Sequence, residues 1–296
     1  MPAPGNKKGR SRTVLVIPLF YLLHIHRHIY LGCGDNVDVS SWVFRWLGAD
    51  EVIREPEIVL YDLACTKNIC FSPAVWRIRL ILNYKLIPYR TVFLEFPDIE
   101  PTLKGLSLVL GESASGTKNK YTVPAIRHVP TNTYMMDSVP IAQFLESIYP
   151  DPVVLSTSEL GREIEAKARA VIGTAFRTLV MPREMNILSP PAQEYFRRTR
   201  EASLGHRLED LLEQDKQEQA WDAVGDGMRA VSKLLRTHKA DGPFVIGAWP
   251  SGTDFFVAGA LHSVSVVDEG VFQRIIKDPA FGEIYGACLP YMEKND

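Results

Sequence analysis

The residues best placed to do chemistry stand where this sequence starts its helices. In "NICFSPAVWRIRLILNYKLIPY", residues 68–89, Ser72 and Pro73 precede a long amphipathic run. Serine is a favoured N-cap because its hydroxyl accepts a bond from an unpaired backbone N–H, and proline suits the first helical position. The same helix end carries the positive pole of the macrodipole, so an anion placed there is stabilised. Ser72 can therefore be a cap alone, or a cap that also holds an anionic ligand. Asp137 and Ser138 repeat the arrangement at a second helix start. Backbone N–H groups and a hydroxyl there could hold a carboxylate, and Asp137 an ammonium; a plain Asp/Ser cap is the alternative. Between the two, "YTVPAI" (residues 121–126) brings a proline into a strand. Proline removes a ladder donor, so it belongs at a sheet edge or beside a special turn. A cis Val123–Pro124 bond would leave the Val123 N–H and C=O open to a ligand, and a trans edge proline is the other reading.

Other features suggest chemistry and fail on inspection. "GESASGTK" (111–118) approaches the phosphate-cradling G-x-x-x-x-G-K-[ST] pattern, but Thr117 precedes Lys118 and a strand follows where a helix should. His24, His26 and His28 alternate as strand residues would, yet no nearby Cys or carboxylate completes a metal site, so no metal is expected. Cys33, Cys65, Cys70 and Cys288 form no C-x-x-C and are too few for a disulfide framework, which points to thiols in a reducing compartment. Lys plus Arg number 33 against 35 Asp plus Glu, so charge gives no reason to expect nucleic acid. The basic start (Lys7, Lys8, Arg10, Arg12) and the apolar run at 14–23 resemble a secretory signal in layout. Pro18 within the run, and "HIHRHIY" where a cleavage site should stand, argue against one. The run is also too short for a stable membrane span.

The elements that must position these residues follow from periodicity. Residues 57–63 ("EIVLYDL") read as a strand, the Ser72-Pro73 helix follows, and 89–96 ("YRTVFLEF") is a second strand. In that helix Trp76, Ile78, Leu80, Ile81, Leu82 and Tyr84 supply the apolar face, with Arg77, Arg79 and Lys85 on the other positions. Asp98 is expected to cap a helix through Leu110, before the polar loop 111–120. Residues 123–129 and 132–136 form a hairpin around Pro130-Thr131, and a helix runs from Asp137-Ser138 to Tyr149. After the linker "YPDPVVLSTS", residues 159–185, 192–212, 220–238, 253–267, 269–276 and 281–292 all favour helix. The expected domains are an extension at 1–56, loosely attached or poorly ordered, an α/β unit at 57–150, a linker at 151–158, and an all-helical unit at 159–296.

Together these features resemble one family. The run from residue 57 to about 150 is similar to the thioredoxin-like domain of glutathione S-transferases, through "IVLYDL", "CFSPAVWRIR", "TVP" and "DSVPIAQFLESIYPD". "FVIGAWPSGTDFFVAGAL" resembles an interior helix start of the family's helical domain, where Ser251 and Asp254 make an S-x-x-D cap used for folding. "SPAVWRIRLILNYK", "DIEPTLK" and "YTVP" look most like the fungal-specific class related to bacterial lignin β-etherases. The resemblance implies an N-terminal thioredoxin-like domain (βαβαββα) followed by an all-helical C-terminal domain.

It also implies roles. Ser72 would hold the sulfur of glutathione, Val123 before cis-Pro124 would bind its cysteinyl amide, and Asp137 and Ser138 would hold the γ-glutamyl ammonium and carboxylate. Many relatives have Lys just before the Val-Pro pair; this chain has Thr122, so Lys120 or Lys118 would have to reach the glycyl carboxylate. The extension has no counterpart in the family. Serine cannot form a mixed disulfide, although Cys70, two residues earlier, could attempt thiol–disulfide exchange. The implied protein is a cytoplasmic glutathione transferase, with glutathione as substrate and a hydrophobic electrophile in the cleft between the two domains. Its role would be detoxification or secondary-metabolite biosynthesis, and such folds usually pair as homodimers. A glutathione-dependent β-etherase, or a non-catalytic binder of glutathione or a hydrophobic ligand, is the alternative.

Overall fold

A strand that is apolar on both faces must lie inside a sheet, and "IVLYDL" does. The computed structural model describes residues 55–106, 108, 121–154 and 158–294. Strand β1 (Ile58–Leu63) is buried at every residue. It pairs in parallel with β2 (Tyr89–Leu94) and antiparallel with β3 (Ala125–His128), which pairs antiparallel with β4 (Thr133–Met136). Spatial order is β2-β1-β3-β4. With helices α1 (Pro73–Tyr84), α2 (Ile99–Gly105) and α3 (Ser138–Ile148), the chain follows the expected βαβαββα order. Tyr61, Ala125 and Met136 share one row of the ladder. The segments after β1, before β3 and after β4 therefore all leave from one end of the sheet.

The second part is helical: α4 (Glu159–Ala175), a π turn (Phe176–Val180), α5 (Met181–Glu184), α6 (Pro190–Leu204), α7 (Gln214–Leu235), α8 (Gly252–Val267), α9 (Glu269–Ile276) and α10 (Pro279–Cys288). Helix α8 is the spine of this half. Its start is fixed by a capping box in which the Ser251 N–H donates to Asp254 Oδ2 at 2.7 Å while the Asp254 N–H donates to Ser251 Oγ at 3.4 Å. Asp254 also accepts from the Val245 N–H at 2.8 Å, tying in the preceding loop. Gly259 lets α8 lie directly on α1, because a Cβ there would stand 3.0 Å from Trp76 Cβ and 3.1 Å from the Arg77 nitrogen.

That close approach corrects one expectation. Arg77, Arg79 and Lys85 do not form a solvent face; all three are buried. Helix α1 is enclosed between the sheet on one side and α8 on the other, so its polar positions have no solvent to reach and each finds a carboxylate instead. Arg79 donates to Asp62 Oδ2 from Nε and Nη2, at 3.2 and 3.0 Å. Arg77 makes a two-pronged pair with Glu165 of α4, at 3.2 and 3.0 Å. Lys85 reaches Glu146 at 2.8 Å and the Tyr149 and Pro152 carbonyls at 2.6 and 2.7 Å.

Three element boundaries also differ. Asp98 closes a 3-10 turn (Phe96–Asp98) and makes no side-chain cap, and the helix it was expected to start ends at Gly105. Gly205, in the left-handed conformation at φ 78°, ends α6, and only a 3-10 turn (Glu209–Leu212) follows, so 192–212 is not one helix. The π turn interrupts 159–185. The histidine triple, the apolar run at 14–23, Cys33, and the 111–120 loop with Lys118 and Lys120 lie outside the described residues.

Candidate functional site

The loop after β1 delivers Ser72 to the N-terminus of α1. Ser72 has extended backbone (φ −80°, ψ 122°), and its Oγ accepts a bond from the Val75 N–H at 3.4 Å. Pro73 occupies the first turn, as the sequence led one to expect. Ser72 is 6 % exposed, so an anion seated there would meet the positive helix end in a poorly solvated setting.

Neighbours from both halves of the molecule hold this loop. The Trp76 indole N–H donates to the Cys70 carbonyl at 2.9 Å, and the Cys70 thiol to the Ser72 carbonyl at 3.7 Å. From α8, the Ser263 hydroxyl donates to the carbonyl of Phe71, the residue before Ser72. Lys67 Nζ donates to the Val266 carbonyl, and the Thr66 N–H to the Ile187 carbonyl at 2.8 Å. The helical half thus grips the Ser72 loop at three carbonyl contacts. Nothing local in the sequence marks Ser263, which lies 192 residues from Phe71 inside an apolar run.

The minor alternative of thiol–disulfide exchange at Cys70 is disfavoured by its surroundings. Cys70 is fully buried, and desolvation together with the nearby Asp62 carboxylate pushes its pKa well up. Beside it, burial works against the charge of Arg79, but its pair with Asp62 opposes that and the guanidinium pKa is raised. This cluster is a prop under the loop.

The other candidate residues come to the same end of the sheet. The Val123–Pro124 bond is cis. The Pro124 carbonyl accepts from the Asp137 N–H at 3.1 Å, joining the turn before β3 to the start of α3. Asp137 adopts φ 75°, a left-handed conformation that Asp tolerates better than most residues. Its Oδ1 caps the Val139 N–H at 3.5 Å, and Ser138 opens the helix. Asp137 also bears electrostatically on Arg77, whose own pKa is lowered by burial, so the starts of α1 and α3 share one field. Ser72, Val123, Pro124, Asp137 and Ser138 are therefore gathered at one sheet end.

On the helical side of this end lie aromatic rings. Phe71 meets Phe96 with centroids 6.4 Å apart, Phe96 meets Phe196 of α6 at 5.2 Å, and Arg200 stands 4.8 Å over the Phe196 ring. Behind them Glu184 is buried, and its carboxyl is pushed up to about 8 by burial, which Arg200 only partly opposes.

Comparison with known proteins agrees with this architecture. Residues 71–148 match the family described as glutathione S-transferase, N-terminal domain, and residues 164–277 match glutathione S-transferase, C-terminal domain. The chain is 35% identical over 240 residues to the glutathione S-transferase-like protein ustS of Aspergillus flavus, covering 75% of this chain and 85% of that one. A glutathione S-transferase of Ceriporiopsis subvermispora, solved in complex with glutathione, superposes with a TM-score of 0.71 at 28% identity, over 81% of this chain and 99% of that one. Glutathione transferase GSTFuA3 from Phanerochaete chrysosporium gives 0.72 at 28% identity, over 82% and 99%.

Proposed function

The chain belongs to the glutathione S-transferase family, and from that premise we propose that it activates the thiol of glutathione for attack on an electrophilic small molecule. The observation that carries this reading is the gathering of Ser72, cis-Val123–Pro124 and Asp137-Ser138 at one end of the sheet. Ser72 Oγ can turn its proton toward a thiolate while its lone pair still accepts from the Val75 N–H. A free thiol has a pKa near ~8.5 and is mostly protonated at neutral pH. A hydroxyl donor and a helix N-terminus together lower it, raising the thiolate fraction. The Val123 backbone would bind the cysteinyl amide, Asp137 the γ-glutamyl ammonium, and Ser138 with the first N–H groups of α3 its carboxylate. Lys120 is the proposed partner of the glycyl carboxylate. The electrophile would lie on the helical side, near Phe96 and Phe196.

With a chloronitrobenzene the reaction balances simply. The thiolate attacks the carbon bearing chlorine, a C–S bond forms, the C–Cl bond breaks, chloride leaves, and the thiol proton passes to solvent. The unpaired state of Cys65, Cys70 and Cys288 supports work in a reducing compartment such as the cytoplasm. The fungal origin of the similar proteins supports a role in fungal detoxification or secondary metabolism. Turnover of glutathione with a chloronitrobenzene by the wild-type chain, lowered about tenfold or more in Ser72→Ala, is the expected result. Glutathione binding without turnover of a panel of electrophiles would replace this reading with that of a non-catalytic binder.

A further inference from the structure

The helical half holds an apolar chamber of about 100 Å3 with no part in the glutathione chemistry above. Ile172, Phe176, Met228, Leu261, Val264 and Ile275 are among its walls, and among the described residues no charged side chain lines it. Two lining residues carry a polar hydrogen, Ser263 and Trp221, and the Ser263 hydroxyl is committed to the Phe71 carbonyl. The chamber divides the apolar interior of the chain. Leu179, Val180 and Val271 on one side belong to the core shared with the α/β half, whereas Ala168, Val231 and Phe281 on the other belong to a separate helical core. Protein interiors are otherwise close-packed, and walls that face a void forfeit their dispersion contacts. Apolar cavities of this order stay dry and take small hydrocarbons.

Two further observations give the space the character of a site. The π turn falls where the chain from α4 meets the chamber, supplying Phe176, Leu179 and Val180, and π insertions concentrate at functional positions. Trp221 and Met228 also line a polar depression with Asp222, Arg229, Arg274 and Asp278, so the chamber and the depression share a wall. The arginines there are already paired, Arg274 with Glu218 at 2.8 Å and Arg229 with Asp226. Among the described residues, that depression therefore offers an anionic ligand no unpaired arginine.

We propose that this chamber binds a small uncharged aromatic or alicyclic hydrocarbon, about the size of toluene, at a position separate from the glutathione site. Pro73 is among its walls and Ser72 is not, so the occupant would touch the first turn of α1 without lining up against the Ser72 side chain. The test uses the full chain and its thermal midpoint. Saturating toluene should raise the midpoint by about 3 °C or more, whereas benzoate, of similar shape but charged, should not. Glutathione affinity should be the same with and without toluene. Ala260→Leu and Ala175→Leu, which fill the chamber from α8 and from α4, should each abolish the toluene shift. The proposal is overturned if toluene gives no shift, if benzoate gives an equal one, if both filled variants keep it, or if glutathione competes with toluene. The comparison of toluene with benzoate needs neither variant to fold. A chain that binds toluene but not glutathione would uphold the chamber and sink the proposed function, and the converse result would do the reverse.

Discussion

At the scale of single residues, Ser72 has two duties that separate experimentally. Its bond to the Val75 N–H makes it a cap, and losing a serine cap costs about 1 kcal/mol of stability. Its proposed hydroxyl bond to the thiolate acts chiefly on the reaction, so Ser72→Ala should lower kcat about tenfold or more with glutathione affinity little changed. Steady-state kinetics beside a thermal melt will separate the two; unchanged turnover in a slightly less stable protein would leave Ser72 a cap only. Asp137 calls for Asn as its replacement, since Asn also tolerates the left-handed backbone at φ 75°. Asp137→Asn should weaken glutathione about tenfold or more, the worth of one charge-assisted bond of about 1.5–3 kcal/mol. Calorimetry that finds equal affinity in a folded variant would remove Asp137 from the γ-glutamyl site. Both residues were legible in the sequence because capping is local: the cap and the N–H groups it serves lie within three positions. Glu165 and Ser263 were not, because their partners lie 88 and 192 residues away.

At the scale of elements, the grip of α8 on the Ser72 loop is the feature with a functional consequence. Ser263→Ala leaves the buried Phe71 carbonyl without its donor, a loss of about 1–3 kcal/mol. If the bond positions Ser72, kcat should fall several-fold while KM for glutathione holds, and Ser263→Thr should restore the rate. A loss of stability with kcat intact would make Ser263 structural alone. The identity and order of the elements in the first half were readable from short runs rich in strand formers and from cap residues. The reading of α1 failed for a definite reason. Its i, i+3, i+4 pattern looked amphipathic, but Arg77, Arg79 and Lys85 are matched to Glu165, Asp62 and Glu146, which come from other elements. Periodicity in one helix carries no information about such partners. The end of α2 and the break after α6 were missed for a different reason, because both are local stops at a glycine that the apolar spacing ran past. Gly205 in "ASLGHRLEDLL" stops the helix through its left-handed backbone, within a run whose apolar spacing continues.

At the scale of the whole molecule, two buried groups of the helical half answer pH in opposite directions. Burial raises the Glu184 carboxyl from 4.5 to about 8, so the folded chain keeps a proton that the unfolded chain releases. Its contribution to folding is complete below about pH 4.5 and is lost as pH rises to about 8. His262 behaves in reverse. Burial lowers it from 6.5 to about 4, so its contribution is present above about pH 6.5 and lost as pH falls to about 4. Glu184→Gln should therefore match wild type at about pH 5 and exceed it at about pH 9, as read from urea midpoints. A constant difference across that range would show that Glu184 is not held protonated. The central claim is that the Ser72 helix end converts bound glutathione into its thiolate. Its most direct test is an ultraviolet titration of the thiolate in the glutathione complex of the wild type and of Ser72→Ala. The account predicts a bound-thiol pKa a unit or more below the ~8.5 of a free thiol in the wild type, returning towards that value in the variant. Equal pKa values in the two proteins, at whatever pH, would contradict it.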